Sequence, residues 1–375
     1  MRDVIKNIDP GADRLYKTFL HSECQNGEFF KIYIVNLLFT FLTLGIFRFW
    51  AKTRNRRYIF SRMKLLGDGF EYTGTGKELL LGFGVVMVFI ILPFGILPAG
   101  YAESISLTNP ELSGTIYTLQ AIFFFCLFPI AVFRAYRYIA SRVNWRGVRF
   151  SQVGSTFGYW WRWMLFTLAM PFTGGLIFPL RHAVMSRYWA NNMRFGNQVF
   201  QTQIKARSLY KSYLLSYIIV ISGLVISFGV FSYGISEIET RMALPNGELP
   251  EVAVALQGGL VFGLGLLNLL VWVLAMSFYY AKYFSQAISE TSVNGCSFYA
   301  RVGPLKLLGF HAVNLMIMIV TFGLSYPFIM SRYMSFISEN VKARGIESLE
   351  QTIQIERDEL KTGEGLADAL DVGAF

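Results

Sequence analysis

Two asparagine–threonine pairs are the polar groups of this chain best placed to act inside apolar segments. Asn36 lies seven positions before Thr43, and Asn314 seven before Thr321. Seven residues is two helical turns, so each pair shares a helix face. At membrane depth such groups line a path or cavity for a small solute, or they hydrogen-bond between helices and hold the fold. Both readings stay open, and a third comparable segment carries Phe166 at the asparagine position. A second cluster, KTRNRRYIFSRMK at 52–64, directly follows a hydrophobic segment. Its density of positive charge suits lipid headgroups, with Arg54, Arg56 and Arg57 as contacts.

Other chemistry finds little support. The three histidines (His21, His182, His311) show no ligand spacing, and the three cysteines (Cys24, Cys126, Cys296) are far apart. There is no phosphate loop, nucleophile elbow or H-E-x-x-H motif. No catalytic residue, cofactor or metal site is expected, and an enzyme is the least supported class.

The elements that position these residues follow from the segregation of charge. Of 375 residues, 54% are hydrophobic and 15% charged. Uncharged windows run over 79–102, 112–133, 212–236 and 252–281, and a bilayer core needs about 20 apolar residues. None of the four windows holds Asp, Glu, Lys, Arg or His, which disfavours an ion- or proton-coupled pump. The net charge of +10 belongs to basic residues flanking hydrophobic segments, a topology signal rather than a nucleic-acid footprint. Residues 1–31 contain no cleavable signal-peptide pattern.

The chain also reads as internal repeats. Phe70, Phe150 and Phe200 each lie 13 residues after an Arg-Tyr pair, and a looser copy runs from Lys282-Tyr283 to Phe298. Short β-type, glycine-punctuated stretches surround them at 67–76, 146–155, 195–204 and 294–303, and residues 16–28 form a degenerate fifth copy. Units two and four hold two full windows each. Units one, three and five hold one hydrophobic segment with a shared break, TLGIFRFW (43–50), TGGLIFPL (173–180) and TFGLSYPF (321–328). Gly45, Gly175 and Gly323 supply the tight turn there.

The outer loops carry Glu103, Glu111, Glu237, Glu239, Glu248 and Glu251. The 181–211 linker holds six basic residues and no acid, so it belongs inside. The expected fold is therefore an all-α polytopic membrane protein, with four full transmembrane helices and three re-entrant or broken segments. Seven full transmembrane helices are the alternative. Residues 1–26 form a cytoplasmic segment, 27–337 the membrane domain, and 338–375 an acidic cytoplasmic tail in which about 341–360 is expected as a surface helix. Gly259/Gly263 and Gly223/Ser227 are small-residue pairs suited to close helix packing or to a homo-oligomer.

The run GEFFKIYIVNLLFTFLTLGIFRFWAKTRNRRYIFSRMKLLGDGFEYTGTGKELL (27–80) closely resembles the opening block of the YjgN-like bacterial inner-membrane proteins, a family of unknown function. The likeness continues more loosely to about residue 345. Phe49 stands where the family favours proline. The resemblance implies a multi-pass fold in the bacterial inner membrane and supplies no activity or site. The expected function is a non-enzymatic channel-like or ligand-binding protein for a small solute or lipid, with membrane lipids as neighbours. The alternative is a scaffold that recruits partners through its basic linkers and tail.

Overall fold

The computed structural model describes residues 16–242, 251–321, 324–349 and 352. In chain order its elements are β1 (Leu20–Ser22), α1 (Asn26–Leu42), α2 (Arg48–Arg62), β2 (Met63–Leu65), β3 (Asp68–Gly69), β4 (Glu71–Tyr72), α3 (Gly76–Val86) and α4 (Leu97–Ile105). Then come α5 (Pro110–Arg142), β5 (Val143–Trp145), β6 (Val148–Gln152), α6 (Thr156–Phe172), α7 (Phe178–Asn191), β7 (Met193–Phe195) and β8 (Gln198–Thr202). Next come α8 (Ala206–Met242), α9 (Glu251–Ser289), β9 (Thr291–Val293), β10 (Cys296–Ala300), α10 (Pro304–Val320), α11 (Tyr326–Asn340) and β11 (Val341–Arg344).

Among the described residues four helices are long and apolar enough to cross a membrane: Gly76–Ile105, Pro110–Arg142, Ala206–Ile238 and Glu251–Ser289. Each contains or overlaps one of the uncharged windows. The first passes from α3 to α4 through a π-helical stretch, Met87–Ile96, that contains Pro93. Proline donates no N–H and widens the turn around it. Gln120 of α5 donates to the Gly95 carbonyl in this stretch at 2.5 Å, so an amide covers backbone that the regular ladder leaves open.

The chain divides into two compact units. One contains the residues up to Ile204, Ala287–Ala300 and the chain from Ile317 on; the other contains Lys205–Gln286 and Arg301–Met316. In the second, α8 and α9 run antiparallel. Ser216 Oγ donates to the Ala275 carbonyl at 2.6 Å and Ser227 Oγ meets Asn268 Oδ1 at 3.2 Å. A Cβ on Gly223 would lie 3.1 Å from Val271, whereas Gly259 and Gly263 face open space. Of the two small-residue pairs, Gly223/Ser227 packs within this unit and Gly259/Gly263 does not.

In the first unit, α1 and α2 form an antiparallel hairpin. Arg62 meets Glu28 at 2.7 Å near its open end, and Asn36 Nδ2 donates to Asn55 Oδ1 at 2.9 Å midway along it. The reversal at 43–47 is built by Thr43 N–H to Phe39 O and Gly45 N–H to Thr40 O, with Gly45 at φ +91°. Between α6 and α7, Thr173 N–H to Ala169 O and Gly175 N–H to Met170 O make the same bonds, with Gly175 at φ +85°. These angles are open to glycine and costly for side chains. After α10, Thr321 N–H again bonds four residues back, to Ile317 O; Gly323 lies outside the described residues.

The linkers hold more order than short isolated strands. Three of their hairpins turn through Leu66-Gly67, Arg146-Gly147 and Asn294-Gly295, and all six of these residues have positive φ, the geometry of two-residue type I′ loops. Strands β4 to β11 pair consecutively and antiparallel in one eight-stranded sheet, and β1, β2 and β3 form a three-stranded sheet. Phe70 alone separates β3 from β4. At the other end Lys17 bridges Ala343 of β11. Chain continuity through Phe70 at one junction and the Lys17–Ala343 bridge at the other therefore join the two sheets into one ring of very short strands, so the chain is not all-α. β11 occupies the start of the stretch expected as a surface helix at 341–360, because Ser297–Ala300 of β10 offer it an edge. A 3₁₀ turn follows at Ile346–Leu349. The remaining tail residues, apart from Thr352, lie outside the described residues.

Candidate functional site

The Arg-Tyr segments position helix ends by side-chain clamps. Thr75 caps α3 by accepting from the Glu78 N–H, which sets Glu78 in the first turn, in the pattern of a capping box. Tyr138 donates to Glu78 at 2.6 Å, and Arg142, one turn further along α5, reaches the same carboxylate at 3.2 Å. On α2, Tyr58 and Arg62 hold Glu28, again in the first turn of α1, at 3.2 Å and 2.7 Å. A carboxylate in that position also meets the positive end of the helix dipole. These two clamps tie the ends of neighbouring helices together next to the ring.

Inside the ring, aromatic side chains meet across strands. Ring centroids are 6.2 Å apart for Phe70 and Phe150, 4.7 Å for Phe150 and Phe195, and 6.4 Å for Phe200 and Phe298. Phe19, just before β1, lies 5.8 Å from Phe298. The phenylalanines spaced from the Arg-Tyr pairs thus meet one another, Phe70 with Phe150 and, across the intervening β9, Phe200 with Phe298.

Where the ring meets the helix ends there is a cavity of about 400 Å³. Its walls are Ile59 and Phe60 of α2, Ile139 and Ala140 of α5, Met334 and Ile337 of α11, and Met63, Val143, Phe150 and Met193 from the strands, with Phe70 between them. Among the described residues the one charged group in the wall is Arg56. It is only 1% exposed and donates from Nη1 to the Tyr72 hydroxyl at 3.1 Å. Its guanidinium also lies 5.7 Å from the Tyr72 ring, which stacks on Phe60. The cavity surface is consequently almost wholly hydrocarbon and thioether, the lining that takes an apolar ligand.

The residues singled out from sequence separate into distinct places. Asn36 is buried; besides Asn55 it reaches the Ala51 carbonyl and accepts from Arg54 Nη1 at 3.3 Å. Thr43 Oγ1 donates to Phe39 O and accepts the Phe47 N–H, which shapes the turn. Thr321 Oγ1 donates to Ile317 O, and Asn314 is buried on α10. Arg54 and Arg57 are exposed on α2. Arg56 is turned inward, so it is corrected from a headgroup contact to a wall residue; helical rotation separates it from its neighbours in sequence. Glu28 and Gln120 carry no motif in the sequence that marks them, whereas Thr75-x-x-Glu78 has a capping-box signature. Among the described residues, no group of three or more His, Cys, Asp or Glu can hold a metal ion. Burial pushes the Cys296 thiol of β10 up to about 11.

Residues 18–369 match the family described as bacterial protein of unknown function (DUF898). The chain belongs to this family. Among its relatives, the inner membrane protein YjgN of Salmonella typhimurium is 24% identical over 367 residues, covering 88% of this chain and 89% of the relative. The protein of the same name from Escherichia coli O157:H7 is 33% identical over 153 residues, 40% of this chain and 35% of the relative. No solved structure matches. The chain is thus a membrane protein of the DUF898 family, with four span-capable helices among the described residues and relatives that are named inner membrane proteins.

Proposed function

We propose that this protein is a non-enzymatic membrane receptor that holds a small apolar molecule in the cavity between its β-ring and its helix ends. The observation that carries this reading is the wall itself: about 400 Å³ of space with hydrocarbon and sulfur on nearly every side. Water gains too few partners there to be held, and a site of this size falls in the range of ligand pockets. This replaces the polar lining by Asn36, Thr43, Asn314 and Thr321 as the site, since Asn36 and Thr43 spend their hydrogen bonds within their own hairpin.

The ring faces the cytoplasm in this reading, as the basic residues of every linker favour, and the C-terminus lies on the same side. The first hairpin re-enters the membrane without crossing it. Supporting this, Arg48 beside the turn stacks 5.2 Å over Phe83, which at 1.5 Å per residue is about 10 Å past the start of α3. The hydrocarbon core is about 30 Å thick, so the turn dips in shallowly. The recurring turn bonds and strand pairs support descent from five repeated units.

The test is photolabelling of the full chain in lipid nanodiscs with a diazirine-bearing twelve-carbon alcohol. Wall residues Ile139, Met193 and Met334 are expected to be labelled, and Val143→Phe to remove that labelling while lipid-facing labelling stays. Equal labelling of wild type and variant would contradict the reading.

A further inference from the structure

We infer that the molecule held is a single-chain amphiphile with an anionic head, its chain in the cavity and its carboxylate or phosphate on Arg137. The inference rests on the cavity reading above and adds the class of ligand.

The chain follows from volume and wall. A water takes up about 30 Å³ of liquid, so about 400 Å³ holds roughly a dozen carbon-sized groups. Met63, Met193 and Met334 contribute unbranched, adaptable side chains to the wall, which suits a flexible chain better than a rigid ring system. Arg56 is the one charged group among the wall residues described, and it donates to the Tyr72 hydroxyl.

The head follows from Arg137. It precedes the wall residue Ala140 by three positions on α5, so the two are neighbours on the helix surface, with Cβ atoms about 5–6 Å apart. Its Nε is buried and has no hydrogen-bond partner among the described residues. A buried guanidinium N–H without an acceptor is unusual, and arginine's fixed fork of donors matches a carboxylate or phosphate. Arg194 also has a buried, unpartnered Nε. It follows the wall residue Met193 directly in β7, however, and strand alternation turns it to the opposite face. Arg57 occupies the position on α2 equivalent to Arg137, three residues before the wall residue Phe60, but it is exposed to solvent.

The experiment labels the full chain in nanodiscs with three diazirine probes of equal chain length: a carboxylate, a phosphate monoester and the neutral alcohol. Wild type is expected to label wall residues at least tenfold more efficiently with one or both anionic probes than with the alcohol. Arg137→Gln should abolish that preference while alcohol labelling stays within twofold, and Arg57→Gln should leave the preference intact. Ala140→Leu and Val143→Phe, tested separately in case one fails to fold, should remove labelling by all three. Equal labelling by anionic and neutral probes, or equal effects of Arg137→Gln and Arg57→Gln, would overturn the anionic head and leave the cavity reading standing. Absence of wall labelling by every probe would overturn both.

Discussion

Lys17 and Ala343 exchange both backbone hydrogen bonds, N–H to O at 2.9 Å one way and 3.0 Å the other. This pair joins the first described strand region to the last strand and makes a ring out of hairpins that are far apart in sequence. Each hairpin has strands of two to five residues, and an isolated two-stranded hairpin is marginal in water. In the ring β2 and β5 to β10 each have hydrogen-bonded neighbours on both sides, and Lys17 covers the outer edge of β11.

The clamp at Glu78 should matter more than the one at Glu28. Arg142 is 9% exposed and Glu78 30%, against 34% for Arg62 and 43% for Glu28. Glu78→Ala leaves a nearly buried guanidinium without its carboxylate and is expected to cost about 1–3 kcal/mol. Glu28→Ala, at a solvent-screened pair, should cost about 1 kcal/mol or less. Thermal unfolding in detergent, with Tyr138→Phe as the milder partner variant, checks the order.

Gly45 faces open space but sits at φ +91°. Gly45→Ala is therefore expected to lose about 1–2 kcal/mol through backbone strain alone. Asn36→Ala removes interhelical hydrogen bonds from a buried site and should cost about 1–3 kcal/mol. Both variants should lower unfolding temperature yet keep wall labelling by the alcohol probe. Loss of labelling in folded Asn36→Ala would return that asparagine to the site.

Cysteine chemistry reports on the ring. Burial, with Glu347 adding a smaller push, raises the Cys296 thiol to about 11. Because the thiolate is the reactive form, a raised value means less thiolate at any given pH. Alkylation of Cys296 in the folded protein should stay slow at pH 8 and keep accelerating through pH 10, instead of levelling near 9. Mass spectrometry of iodoacetamide-treated protein measures this, and denatured protein should show the ordinary profile.

The orientation is checked with single cysteines at Asn109 and Asn192 after Cys24, Cys126 and Cys296 are replaced by serine. An impermeant thiol reagent on intact cells should label position 109 and leave 192 protected. Labelling at 192 would mean that α6 crosses the membrane, as in the seven-helix alternative.

Much of this architecture is legible in the sequence because its signals are local. The absence of charge over 79–102 and 112–133 is a property of consecutive residues, and so is the Thr-x-Gly break. The ring is not legible in the same way. Residues 67–76 and 146–155 announce strands through glycine and aromatic spacing, but which linker pairs with which depends on contacts such as Glu71 with Asn144 and Phe200 with Val293. Strands this short carry almost no register signal of their own. Arg56 shows the same limit. Its neighbours Arg54 and Arg57 make it read as one of a surface cluster, and only the packing of Tyr72 against α2 turns it inward. The cavity has no signal at all, since its walls come from six separate stretches of the chain.

Closure of the ring is tested most directly by Lys17→Cys combined with Ala343→Cys in a chain whose native cysteines are replaced by serine. Residues that exchange both bonds across antiparallel strands have Cα atoms about 5.5 Å apart, within disulfide range. Near-complete crosslinking under mild oxidation, with none for Lys17→Cys combined with Ser151→Cys, is the predicted result. Failure of the 17–343 pair to crosslink in folded protein would contradict the ring and remove one wall's support from the cavity.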